Sequence, residues 1–322
     1  MSAGTAAAIP VGKAPRRWQA DLALAFVALL WGSTFVVVKS ALSDISTLYF
    51  LAIRFWVASL CMALLFIKPF RAAGAKAVWS GLRGGAVAGL FLWSGYILQT
   101  YGLKYTAAGK SAFITGLYIV LVPLIAAAVH KTWPHLSEVI GILIATAGMG
   151  LMVVPGAGSA GLVFFGLKFD WLNFGDLLTI ACAVAFAGQL VVLGYYARRE
   201  RFEAVALGQI LCTALLSTLA LPAEPPRVSW SPGVVFALVL TGVFATAIAF
   251  AIQTWAQQYT SATRTALIFA LEPVFALVTA VIFGGEWLTA GAVGGGLLIL
   301  AGILLVVLKP VGRSQHPINS TS

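Results

Sequence analysis

Charged residues are scarce in this chain. They make up 9% of its 322 residues, against roughly 25% in a typical soluble domain. Hydrophobic residues make up 61%, and mean hydropathy is +0.98. A soluble protein of this size keeps much of its surface wet and cannot hide that much apolar area. A soluble enzyme and a disordered chain are therefore excluded. Cysteine is nearly absent: Cys61, Cys182 and Cys212 lie inside apolar stretches without CxxC spacing, which indicates neither a disulfide framework nor a metal site. Of the three histidines, His130 and His135 fall in one polar turn with no carboxylate or thiol cluster beside them. No metal and no cofactor is expected. The net charge of +10 is spread in small groups between apolar stretches and forms no basic stripe, so nucleic acid is not an expected partner.

What is present is a series of long apolar runs. A membrane-crossing helix needs about 20 mostly apolar residues, and ten stretches qualify: 21–40, 47–67, 84–103, 108–129, 136–154, 174–196, 203–222, 233–256, 261–283 and 289–308. The expected fold class is an all-α membrane protein of ten transmembrane helices. The connections are too short for a soluble domain. Residues 1–18, small and Pro-containing with Arg16-Arg17 near their end, and the polar 309–322 read as disordered tails, and 155–173 as a Gly-rich connecting loop between the halves 19–154 and 174–308. With the N-terminus inside the cell, fourteen Lys and Arg fall on the inner side and five on the outer, with Arg54 inside a span. The positive-inside rule supports that orientation, with both termini cytoplasmic.

The two halves align under a shift of 154 residues. Gln99-Thr100-Tyr101 falls on Gln253-Thr254-Trp255, Tyr105-Thr106 on Tyr259-Thr260, Gly141 on Gly295 and Gly148 on Gly302. Near the start of each half the shift is 155, with Asp21-Leu22 on Asp176-Leu177. Each half carries five spans, an odd number, so the halves enter the membrane with opposite polarity. Two inverted five-helix repeats are a common build for secondary transporters, with the substrate site between the halves near the midplane.

With these motifs the chain resembles the drug/metabolite transporter superfamily, in particular its EamA-domain branch. The residues that carry the likeness are Trp31-Gly32-Ser33-Thr34-Phe35 with Lys39, Arg54-Phe55, the run from Gln99 to Ala112, Leu121-Val122-Pro123, Glu272-Pro273 and Gly285-Glu286. The likeness covers about 20–308. It implies an inner-membrane exporter of amino acids or other small metabolites, with a central cavity lined by spans 1, 3, 4, 6, 8 and 9. Two departures stand out. Lys131-Thr132 replaces the Gly-Glu of the second half, and Pro123 lies one turn later than the register of Pro273, so the halves are expected to bend at different depths.

Glu272 is the one acidic residue in the middle of a span, where a charge costs roughly 2.5–3.5 kcal/mol on insertion scales. Pro273 after it has no N–H and disrupts the preceding turn. This carboxylate reads either as a binder of substrate amine or protons or as a support for the bend. Arg54, the one basic residue inside a span, reads as a bidentate partner for a substrate carboxylate or as a structural ion pair. Trp31, Phe35, Trp93, Tyr96, Gln99, Tyr118, Gln189, Gln253 and Trp255 form a polar-aromatic set suited to line a cavity, with helix packing as the alternative. Pro123 and Pro273 are hinge candidates. Small-residue rows at Ala108, Ala112, Gly116 and at Ala262, Ala266, Ala270 read as helix packing.

The expected function is a secondary transporter of small, partly apolar metabolites working by alternating access. Its partners are a small-molecule substrate, the lipid bilayer and, for coupling, protons; no oligomer is required. An intramembrane enzyme acting on a lipid or prenyl substrate would need a cluster of His, Asp, Glu or Cys. A channel would show charged rings or a carbonyl filter motif.

Overall fold

The structure, a computed structural model, describes residues 17–106, 111, 114–131, 133–153, 173–284 and 289–308. Expectations for the tails, for most of the 155–173 loop and for Gly285-Glu286 fall outside the described residues. The helices are α1 (Arg17–Ala41), α2 (Thr47–Leu65), a short α3 (Ile67–Ala72), α4 (Ala75–Gly102), α5 (Tyr118–His130), α6 (Leu136–Val153), α7 (Phe174–Ala197), α8 (Phe202–Ala220), α9 (Pro232–Val239), α10 (Ala249–Ala256), α11 (Ala262–Phe269), α12 (Leu271–Gly284) and α13 (Ala290–Leu308). Among the described residues, six stretches are long and apolar enough to cross a membrane: Thr47–Leu65, Phe174–Ala197, Phe202–Ala223, Pro232–Ala256, Ala262–Thr279 and Ala290–Leu308. Ile114–Val129 and Leu136–Leu151 are shorter apolar helices. The large side chains left exposed, such as Leu60, Leu219, Leu297 and Leu308, suit contact with lipid. The chain is an integral, multi-pass membrane protein.

Local chemistry starts several of these helices. Asn173 accepts the Asp176 N–H while Asp176 accepts the Asn173 N–H, a reciprocal cap on α7. Ser231 caps α9 with Pro232 at its first position, and Ser261 caps α11. Between helices, absent side chains set the spacing. A Cβ on Gly141 would lie 2.7 Å from the Gly302 carbonyl oxygen, and one on Gly148 would lie 2.5 Å from that of Gly295. The α6 and α13 backbones therefore touch in antiparallel order. A Cβ on Gly32 would lie 2.5 Å from the Glu272 carbonyl oxygen, which puts α1 directly on the start of α12.

Three departures from regular helices position the site. The stretch 233–256, expected as one α-helix, widens between α9 and α10 into π-helical turns over Leu240–Ile248, where the Ala249 N–H reaches the Phe244 carbonyl, five residues back. The stretch 261–283, also expected as one helix, breaks at Ala270, where the Ala270 N–H turns to the Leu267 carbonyl. Pro273 explains this, since its missing N–H leaves the Phe269 carbonyl without its helical donor. In the first half Leu117 interrupts the helix ahead of α5, its N–H bonding the Ile114 carbonyl. Leu117 and Ala270 are 153 residues apart, within one residue of the 154-residue shift, so the two interruptions fall at nearly equivalent positions of the two halves. The expectation of bends at different depths is thereby corrected: Pro123 lies within α5 without ending it.

Candidate functional site: a polar cavity walled by aromatic rings

Helices α1, α2, α4, α7, α10, α11 and α12, with Thr115 and Tyr118 at the start of the α5 stretch, enclose a cavity of about 920 Å³ of atom-free space, counting the part that opens outward. It runs from Trp31, Gln253 and Glu272 at its deep end to Val38, Phe50 and Leu103 at the end of the bundle that carries the α1–α2 turn. Each lining helix presents one face. On α4 the stripe is Leu92, Tyr96, Gln99 and Leu103, the spacing of a single helical side.

Arg54 is 5% exposed. Its Nε donates to Thr246 Oγ1 at 2.8 Å and its Nη2 to Tyr96 Oη at 3.3 Å. The Tyr96 ring centre lies 5.0 Å from the guanidinium carbon, and Tyr96 itself packs edge-on against Phe55 and Phe186 at 5.1 and 5.5 Å. Trp31 Nε1 donates to the Ala245 carbonyl at 2.8 Å, and its ring packs on Phe250 and Phe269. Thus two consecutive residues of the π-helical turns, Ala245 and Thr246, hold Trp31 and Arg54. Glu272 lies on the same cavity but makes no ion pair with Arg54. At the deep end Gln253 is 1% exposed, and its Oε1 has no hydrogen-bond donor among the described residues. Gln189 donates to Gln209 Oε1 at 2.9 Å, and Gln209 donates to Thr254 Oγ1 at 3.1 Å, a buried chain that fixes the Gln189 amide. Gln99 Nε2 reaches Thr115 Oγ1 at 3.4 Å.

Trp31, Arg54, Tyr96, Gln99, Tyr118, Gln189, Gln253 and Glu272 thus share one cavity. Trp93 does not line it. It lies on the flank of the α4 stripe, about 100° round from Leu92, with its indole N–H buried and unpartnered among the described residues. Trp255 is two positions from Gln253, on the opposite side of α10, and meets the Tyr259 ring edge-on at 5.5 Å. The Phe35 side chain lies outside the described residues. Pro123 and Pro273 do not line the cavity either. Span 2 contributes Phe50, Leu51 and Arg54, beyond the six spans the resemblance implies. Sequence reasoning passed over Phe186, Phe250, Phe269 and Thr246. The phenylalanines have no polar signal among twenty residues of that type, and the role of Thr246 depends on the π-helical turn.

Different polar ties lie at the two ends of the bundle. Away from the α1–α2 turn, Arg264 grips Asp21 with two hydrogen bonds of 2.9 and 2.6 Å and also donates to the Val306 and Val307 carbonyls. Beside it, Arg198 donates to the Gln257 and Thr260 carbonyls. Near the α1–α2 turn, Glu224 accepts from Lys104 Nζ and the Leu48 N–H, both at 2.8 Å, and Ser231 donates to Asp44. Burial pushes the Glu224 carboxyl up. The Lys104 ammonium and the backbone N–H groups of Leu48 and Thr47 outweigh that and hold it below its usual 4.5. Among the described residues no group of His, Cys, Asp and Glu could hold a metal ion, and the three cysteines are free thiols.

Comparison with known proteins places this architecture. An uncharacterized transporter of Archaeoglobus fulgidus is 33% identical over 294 residues, covering 91% of this chain and 87% of its own. The uncharacterized transporter YvbV of Bacillus subtilis is 26% identical over 290 residues, covering 89% and 91%. A solved crystal structure at 22% identity superposes with a TM-score of 0.73, covering 91% of this chain and 98% of that one, a likeness of fold. The profile of the EamA-like transporter family matches residues 18–154 and 173–308. The chain therefore belongs to the EamA-like transporter family and is a membrane transporter.

Proposed function

We propose that the protein is a secondary transporter that exports small, partly apolar metabolites, amino acids or related compounds among them, across the cytoplasmic membrane by alternating access. The observation that carries this reading is a cavity inside an apolar helix bundle, with a guanidinium, a carboxylate and three amides set among aromatic rings. Such a chamber suits a solute with an apolar body and polar ends.

The reading includes ten spans in two inverted repeats, with both termini cytoplasmic. The glycine contacts support inversion. Under the 154-residue shift, Gly141 maps on Gly295 and Gly148 on Gly302, so the contacts Gly141–Gly302 and Gly148–Gly295 are images of each other. Equivalent helices that meet antiparallel in this way are related by an axis across them, which is the relation of an inverted pair. The family profile matching two segments supports a duplicated chain. With the N-terminus inside, the cavity runs toward the outer face, and the Asp21–Arg264 pair belongs to the closed inner side.

Counterflow tests the function. Liposomes holding the purified chain and an excess of unlabelled amino acid should transiently accumulate the labelled compound. A panel of leucine, phenylalanine, threonine and their decarboxylated amines covers the expected class. Steady leak without counterflow across the panel would favour a channel and sink the carrier reading.

A further inference from the structure

We propose that the cavity contains a carboxylate subsite built on Arg54, and that Thr246 is the residue that positions it. This rests on the transporter reading above and deepens it by naming the charge that a substrate must carry.

Arg54 is a buried cation whose hydrogen bonding is incomplete. Of its five N–H groups, one on Nε is taken by Thr246 Oγ1 and one on Nη2 by Tyr96 Oη. The others have no acceptor among the described residues, and no described carboxylate lies within ion-pair distance. A buried charge left in this way is costly unless something pairs with it. Nη1 belongs to a residue that lines the cavity, so its natural partner is a group that arrives there. A carboxylate meets a guanidinium edge with two parallel hydrogen bonds. One guanidinium matches one negative charge. A phosphate monoester would bring a second into a chamber that already holds Glu272 and lacks another described cation on its wall.

Thr246 does not line the cavity; it acts through Arg54. The bond at Nε fixes the last torsion of a long side chain and thereby aims the Nη edge. Thr246 can do this because the π-helical turns rotate it toward α2. Gly242, in the same turns, lets the α2 backbone approach, since a Cβ there would lie 3.3 Å from the Arg54 carbonyl oxygen and 2.9 Å from Val57.

Thermal unfolding of the purified full chain in detergent, titrated with carboxylates and their neutral amides, tests both parts. The probes are 3-phenylpropionate and 4-methylpentanoate, each against its primary amide. In wild type the acids should raise the unfolding temperature and the amides should not, since binding the folded state raises apparent stability. Arg54→Gln should abolish the acid effect, and Arg54→Lys, which keeps the charge without the fork, should weaken it. Thr246→Val should weaken acid binding about tenfold, the loss of one charge-assisted hydrogen bond, and Thr246→Ser should restore it. A merely structural Thr246 would change the ligand-free unfolding temperature but leave the acid dissociation constant alone. Amides that act as well as acids, or acids without effect on wild type, would overturn the subsite. Wild-type acid affinity in Thr246→Val would overturn the positioning role. Counterflow is read separately, so a chain that exchanges substrate but ignores the acid–amide difference keeps the transport reading and loses this one.

Discussion

Arg54 and Gln209 occupy matching positions under the 155-residue shift, yet they do opposite things. Gln209 is fully buried and neutral, locked between Gln189 and Thr254. Arg54 is charged and only partly paired. Both back onto a glycine: a Cβ on Gly89 would meet the Gln209 carbonyl, and one on Gly242 the Arg54 carbonyl. The same helix packing thus carries a silent amide in one half and a cavity cation in the other. Gln209→Ala should strand the Gln189 amide and lower stability by about 1–3 kcal/mol, the cost of an unsatisfied buried group; thermal unfolding in detergent measures it. Gly32 makes a sharper test of packing. An alanine there would meet backbone, the Glu272 oxygen at 2.5 Å and the Ala276 nitrogen at 2.9 Å. Because backbone cannot swing aside, Gly32→Ala should cost about 1–3 kcal/mol and shift the deep end of the cavity, while Gly74→Ala, with open space around it, should unfold as wild type does. Equal unfolding temperatures for the two variants would contradict the α1–α12 approach. The place of Arg54 and Glu272 on the cavity wall was legible in the sequence because a lone charge in an apolar run needs a reason. Thr246 was not, because threonines in membrane helices commonly bond their own preceding turn.

At the scale of elements, hydrophobic runs revealed where helices lie but not how they are interrupted. The apolar pattern of 233–256 is the same whether its turns are α or π, so nothing in it marks Leu240–Ile248. The break at Ala270 was half legible through Pro273. Its counterpart at Leu117 was hidden, because Pro123 drew the expectation one turn too far along. The connection after α8 also escaped notice, although Glu224 ties it to Leu48 on α2 and to Lys104 beyond α4. That tie depends on pH. A carboxyl held below its usual value in the folded state adds stability above the unfolded value, and the gain disappears as pH falls through the folded one. Glu224→Gln should therefore lower the unfolding temperature at neutral pH, by the equivalent of about 1 kcal/mol or less given the exposure of Lys104. The difference from wild type should shrink as pH drops below 4.5. A difference that stayed constant into the acid range would assign the effect to packing instead of charge.

For the whole molecule, the decisive contrast is between its two ends. The cavity approaches one of them, lined there by Val38, Phe50 and Leu103. At the other, Arg264 on α11 gathers the Asp21 carboxylate of α1, 243 residues away in sequence, and two α13 carbonyls. Removing one partner of such a pair leaves a poorly solvated charge, at a cost of about 3 kcal/mol. Under the proposed alternating access, that cost becomes a shift between states: the arrangement with the cavity toward the α1–α2 turn loses its lock, and the opposite one loses nothing. The test uses a chain whose three cysteines are replaced and in which Leu103→Cys reports on the cavity. In sealed, right-side-out vesicles a membrane-impermeant maleimide should label Leu103→Cys from outside. Adding Asp21→Asn should slow that labelling several-fold, while Ser43→Cys on the α1–α2 turn should label at the same rate in either background. Asp21→Asn with Arg264→Gln removes both charges and should recover part of the rate, because no buried charge is then left unpaired. If Asp21→Asn instead lowered the unfolding temperature and left the labelling rate of Leu103→Cys untouched, the pair would be a clamp common to both states, and the closed end would have to be held by the Arg198 contacts with the Gln257 and Thr260 carbonyls.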